Sequence, residues 1–437
     1  MDGQIIFQLP EINDIISQFF SQIQEAIPKF EPLLGYTASA PFILLAAAGI
    51  IFLGIAGEVF FRKTGMPDVL FLMVLGIIIG PVLGLVSQDA IRQIVPYFSA
   101  IALILIMYDG GLNLDIRNVI KSAPYAVVLS ILGFITSVIV VTVVAFFGLE
   151  WELMQSILLG AIVGGSSSII VFGLVNKLAI SDQTRSILSL ESAMTDILVT
   201  IVAFVLIGII VSGIFDPNVA LGSFANSVGI GVLLGFGIGI PWAFISSKIQ
   251  NVQHSYMLTI GILFVIFFFE KSFGGSGALA PLIFGLMIGN KLFLSKYLKF
   301  KIPEIKADDP THNQLTFLVR SFFFVFLGLL TGIDRIEYIF FGVVAGILIY
   351  VARMGFVKIS IPKRLSIFDK KVTQVMIPRG LAAAVVATIP LTLDFPNAQA
   401  YPQIVSVIIM TSVVITTIGI VRMKRYSPIN NAAELKK

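Results

Sequence analysis

The chain has no cysteine, so disulfides and thiolate metal sites are excluded. It has two histidines, His254 and His312, too few for a His-rich metal centre. Charge is scarce as well. Asp, Glu, Lys and Arg make up 12% of the 437 residues, against about 25% in a soluble domain. The net charge of +4 is too small for a nucleic-acid footprint. What is there is apolar: 57% of the residues are hydrophobic and the mean hydropathy is +0.99. These proportions predict an all-α polytopic membrane protein in contact with lipid, not an enzyme. The 38 glycines suit close helix packing and broken helices in lipid.

Residues 1–35 carry acids within their apolar stretches and lack a basic leader, so no signal peptide is expected. Ile15, Ile16, Phe19, Phe20 and Ile23 fall at helical spacing, which predicts an amphipathic segment at the membrane surface. Beyond it, about 13 transmembrane spans of roughly 20 residues fit the hydropathy. They run near 38–61, 67–86, 95–114, 122–148, 154–176, 186–213, 219–247, 254–270, 275–291, 313–333, 336–357, 372–391 and 401–421. With the N-terminus outside, about 22 of the 29 Lys and Arg fall on the cytoplasmic side. That asymmetry places the C-terminus in the cytoplasm, and the short tail 424–437 is not expected to form a regulatory domain.

The sequence echoes itself. "VLGIIIGP" from Val74 returns as "IFGLMIGN" from Ile283, some 209 residues later, and "GLNLDIR" returns as "GLLTGIDR". The echoes are seven spans apart. An odd offset makes equivalent helices antiparallel, which is the inverted-topology repeat of secondary transporters. Spans five and twelve are also seven apart, and both read as broken helices. One carries Gly164, Gly165 and the run Ser166 to Ser168; the other carries Pro378, Arg379 and Gly380. Freed backbone groups and half-helix ends there could bind a small ion. Tight packing through small residues would explain the glycines and serines but not Arg379.

At about 1.5 Å per residue, Asp196, Ser166 to Ser168 and Arg379 all lie roughly 12–16 Å from the cytoplasmic face, near the midplane. Glu191 and Arg353 share a shallower depth of roughly 8–9 Å, which suits a buried ion pair. Glu191 and Asp196 stand about 140° apart on one helix and so do different work. Asp196 is left without a permanent cation partner, and Ser192 shares its face. Such a carboxylate can take a proton or a monovalent cation, one at a time. The alternative is a structural hydrogen bond from the broken backbone to Asp196. Three further groups have plainer expectations. Arg320 either snorkels or pairs with Asp109 or Glu58, Asp109 is structural, and His254 and His312 are solvated loop residues or pH sensors.

"ESAMTD" (Glu191 to Asp196), "MYDGGLNLDI", "YVARMGF", "FFFVFLG" and "PRGLAAAVV" together resemble the monovalent cation–proton antiporter superfamily, in its electroneutral, sodium/proton-exchanger-like branch. The resemblance spans nearly the whole chain. It implies that Asp196 binds the ion, that Glu191 pairs with Arg353, and that Ser192 and Thr195 line the site. Ser166 stands where the family's broken helix offers a threonine, and Ser167 where it offers an aspartate. Thr195 replaces the branch's asparagine, and the serine run is similar to the electrogenic and potassium-efflux relatives.

The implied protein is a homodimeric antiporter of the cell (inner or plasma) membrane, exchanging Na⁺ or K⁺ for H⁺ one for one, with no cofactor. Its antiporter domain would cover 36–423, with a core bundle at 122–213 and 336–421 moving against a dimer scaffold at 38–114 and 219–333. A sodium-coupled organic-anion symporter of similar inverted-repeat fold and a gated cation channel are the rival readings.

Overall fold

A computed structural model describes residues 48–59, 68–84, 88–112, 116–175, 178–213, 217–248, 255–275, 277, 279–290, 310–332, 335–393 and 396–424. The N-terminal segment, the basic stretch 291–309, His254 and the tail from 425 lie outside them.

Every element among the described residues is helical. α1 spans Ala48–Val59, α2 Asp68–Ile77, α3 Gln88–Leu112 and α4 Ile116–Gly148. α5 (Leu153–Ile162) and α6 (Ser168–Val175) are the two halves of one crossing. α7 (Asp182–Ser212), α8 (Pro217–Lys248), α9 (Ser255–Ser272), α10 (Leu279–Gly289), α11 (Pro310–Leu330) and α12 (Ile336–Ser360) follow. α13 (Ile367–Val375) and α14 (Leu381–Ala387) form the second broken crossing, with a last turn, α15, at Ile389–Thr392. α16 closes the fold at Ala400–Lys424. Six of these helices are long and apolar enough to cross a bilayer unaided. Their outward faces carry side chains such as Phe147, Val211, Leu233 and Phe340, as lipid contact requires.

Local chemistry sets the ends. Ser181 caps α7 by accepting from the Thr184 N–H, and Gly213 closes it in the left-handed region at φ +65°. Ser366 caps α13 by accepting from the Asp369 N–H. Pro81 interrupts the span of α2, which loosens into a π-turn over Ile78–Val82.

The helices sort into two packed groups. α4, α7, α12 and α16 enclose the two broken crossings. α2, α3, α8, α10 and α11 form the other group, with α9 against α8 and α10. The groups meet where α8 touches α7, α14 touches α3, and α16 touches α2 and α11.

The two sequence echoes occupy matching places. Gly76 of α2 lies on the α11 backbone, where a Cβ would collide with the Val325 carbonyl. Its counterpart Gly285 of α10 lies on α3, where a Cβ would collide with the Tyr108 carbonyl. Each member of the first echo thus packs on a member of the second, and both contacts need a residue without a side chain.

Candidate functional site

Both crossings break where the sequence is poorest in helix formers. The first opens at Val163 through Ser167, past Gly164 and Gly165, and the second at Met376 through Gly380. The breaks touch: the Ser167 N–H donates to the Pro378 carbonyl at 2.6 Å, and the Ser167 side chain lies against Gly380.

A break in lipid frees backbone donors that have no water to meet. In each half of this protein, the helix that follows the break supplies the acceptors. For the second break, α16 accepts the Arg379 N–H on Ser412 Oγ at 2.9 Å and the Ile377 N–H on Thr416 Oγ1 at 3.4 Å. For the first, α7 accepts the Ser166 N–H on Thr195 Oγ1 at 3.0 Å and the Ser168 N–H on Asp196 Oδ2 at 3.3 Å. Ser168 Oγ donates to the same carboxylate oxygen at 2.7 Å. Three of these four acceptors are neutral hydroxyls; the fourth is a carboxylate.

Glu191 faces elsewhere, as the spacing requires. Its two oxygens take both terminal nitrogens of Arg353, at 2.5 and 2.8 Å. Arg353 Nε donates to the Thr373 carbonyl at 2.8 Å, so the guanidinium is fixed on three sides. Both side chains are almost wholly buried. Arg379 reaches from the second break to Ser137 Oγ on α4 at 2.8 Å. Its Nε is buried without a hydrogen-bond partner among the described residues. A small polar cavity, with room for about one water, is lined by Ser137, Ser166, Glu191, Thr195, Arg353 and Arg379.

The sequence-selected residues therefore divide. Asp196, Thr195 and Ser166 meet at the first break. Ser192 is fully buried and donates back along α7 to the Ser189 carbonyl. Ser167 sits at the crossing of the two breaks, and no hydrogen bond links it to Asp196. The serine that does reach the carboxylate, Ser168, went unselected. The start of α6 at Ser168 decides this, and the run of three serines does not mark it in the sequence.

Two expectations are corrected. Arg320 pairs with neither Asp109 nor Glu58; its partner is Asp68 at the start of α2, at 2.8 Å. His312 is not a solvated loop residue. It is 4% exposed, and its ring joins Asp109 of α3 and Tyr256 of α9, each at 2.8 Å.

Residues 46–423 match the family described as sodium/hydrogen exchanger, transmembrane. The K⁺/H⁺ antiporter of Alkalimonas amylolytica is 24% identical over 382 residues, which cover 85% of this chain and 64% of that protein. Na⁺/H⁺ antiporter 1 of Methanocaldococcus jannaschii is 24% identical over 348 residues, covering 75% of this chain and 78% of that protein. The solved structure of the sodium proton antiporter from M. jannaschii at pH 8 superposes with a TM-score of 0.71 at 21% identity, covering 88% of this chain and 97% of that one. This chain spans just under two thirds of the length of the K⁺/H⁺ antiporter it resembles.

Proposed function

Since the chain belongs to the sodium/hydrogen exchanger family and is a multi-pass membrane protein, we propose that it exchanges a monovalent cation, Na⁺ or K⁺, for H⁺ by alternating access. One observation carries the reading. The two breaks set the same structural task, and α16 meets it with Ser412 and Thr416 alone. A carboxylate is not needed to hold a broken backbone. Asp196 meets it on α7 at the expense of a charge at membrane depth, and charge there marks ion handling. Among the described residues no cation lies within ion-pair distance of Asp196, so a proton or a metal ion can neutralise it in turn.

Thr195, Ser166 and Ser192 supply neutral oxygens around the same break. The group α4, α5/α6, α7, α12, α13/α14 and α16 carries the site, and in this reading it is the moving core. The other group serves as scaffold and supplies the homodimer contact. The protein sits in the cell membrane with its N-terminus outside and its C-terminus in the cytoplasm, following the distribution of Lys and Arg.

The test is reconstitution. Purified protein in proteoliposomes with an imposed proton gradient should dissipate it when Na⁺ or K⁺ is added, with no organic solute present. Asp196→Asn keeps the hydrogen-bonding shape but cannot trade a proton for a cation, and should abolish exchange. Wild-type exchange in that variant refutes the assignment.

A further inference from the structure

We propose that Ser168 is a positioning residue of the ion site, holding Oδ2 of Asp196 through its hydroxyl and its backbone N–H so that Oδ1 is left to meet the transported ion. The proposal rests on the antiport reading above. α6 begins at Ser168, so the Ser168 N–H is one of the first-turn donors that an α-helix cannot satisfy itself. It points to Oδ2 of Asp196, as does the hydroxyl on the same residue, at 3.3 and 2.7 Å. Two donors from one residue fix the carboxylate plane. Oδ1 takes no hydrogen bond among the described residues, and the side chain keeps a little exposure, 8% for the residue as a whole.

The arrangement has a chemical consequence. Donors aimed at a carboxyl group stabilise its ionised form over its protonated form. Ser168 therefore sets how well a cation competes with a proton for Asp196. Ser166 and Ser167, of the same residue type in the same run, do not share this role. Ser166 is engaged with Thr195, and Ser167 lies at the crossing against Gly380. The charged group acting on Asp196 is Arg379 from the second break; Glu191, farther along the same helix, is locked to Arg353 of α12.

The experiment compares wild type, Ser168→Ala and Ser168→Thr in proteoliposomes, with Na⁺ and K⁺ titrated separately at a series of pH values. Ser168→Ala should raise the apparent KM for the transported cation about tenfold, the order expected for one hydrogen bond to a charged group, with maximal rate changed less than twofold. The pH of half-maximal exchange should move up by about one unit. Ser168→Thr, which keeps the hydroxyl, should restore both. A Ser168→Ala protein with wild-type KM and pH profile overturns the proposal. So does one that loses maximal rate at unchanged KM and is not rescued by threonine, since that is a folding effect. A wild-type protein that exchanges neither cation for protons overturns the antiport reading, and this proposal falls with it.

Discussion

Glu191 and Arg353, 162 positions apart in sequence, meet through two parallel hydrogen bonds of 2.5 and 2.8 Å between α7 and α12. The fork of the guanidinium matches the two carboxylate oxygens, and the Thr373 carbonyl takes the remaining Nε–H. Removing one partner would strand the other charge in a dry interior. Glu191→Ala or Arg353→Ala should each lower stability by about 3–5 kcal/mol. The double variant should lose less than the sum of the two, and a thermodynamic cycle from denaturant unfolding in detergent measures the difference. Strict additivity would mean that the pair contributes nothing as a pair.

The two breaks should respond alike to loss of their acceptors. Thr195→Val orphans the Ser166 N–H, and Ser412→Ala orphans the Arg379 N–H, both in buried surroundings. Each should cost about 1–3 kcal/mol of stability, the range for a buried donor left without a partner. Unequal losses, with one variant as stable as wild type, would show that the two breaks are not built on the same plan.

The glycine contacts between the echoes give a parallel test. Gly76→Ala drives a methyl group into the α11 backbone, and Gly285→Ala drives one into α3. Backbone cannot rotate aside as a side chain can, so each helix pair must separate. A loss of about 1–3 kcal/mol per variant is expected, similar for the two, from unfolding of each purified protein. Tolerance of alanine at either position would contradict the close approach.

The breaks were legible because Gly164–Gly165 and Pro378–Arg379–Gly380 are poor helix formers in an apolar run, and propensity acts locally. The meeting of Glu191 with Arg353 was legible because depth is a one-dimensional quantity that residue counting supplies. Depth gives no azimuth, and there the reading stopped. Arg320 was expected to snorkel or to pair with Asp109 or Glu58, but α11 lies against α2, which brings Asp68 to it. His312 sits at a helix edge in sequence, yet α3 and α9 close over it. The serine run poses a related question of azimuth, since the resemblance assigns Ser166 and Ser167 to the site and Ser168 is the one bonded to Asp196. Which serine faces α7 depends on the residue at which α6 starts, and a run of identical side chains does not mark that residue.

The last prediction concerns charge. Glu191 is held by both terminal nitrogens of Arg353, so neither is released during a transport cycle that keeps α7 and α12 together. Thr195, which lies beside Asp196, cannot ionise. On the antiport reading proposed above, Asp196 is then the group of the described site that changes its charge state, taking either one proton or one monovalent cation. Both loaded forms carry the same net charge across the membrane, so a complete cycle moves none. Moving one net charge through 100 mV would be worth about 2.3 kcal/mol, enough to shift an exchange equilibrium by more than tenfold. In proteoliposomes whose potential is clamped by an ionophore for an ion the protein does not carry, the cation/proton equilibrium should therefore stay fixed as the potential is varied. A sustained current on a solid-supported membrane, or an equilibrium that follows the potential, would refute one-for-one exchange. It would require a second group that titrates, and Glu191 released from Arg353 is the carboxylate on the same helix that could supply it.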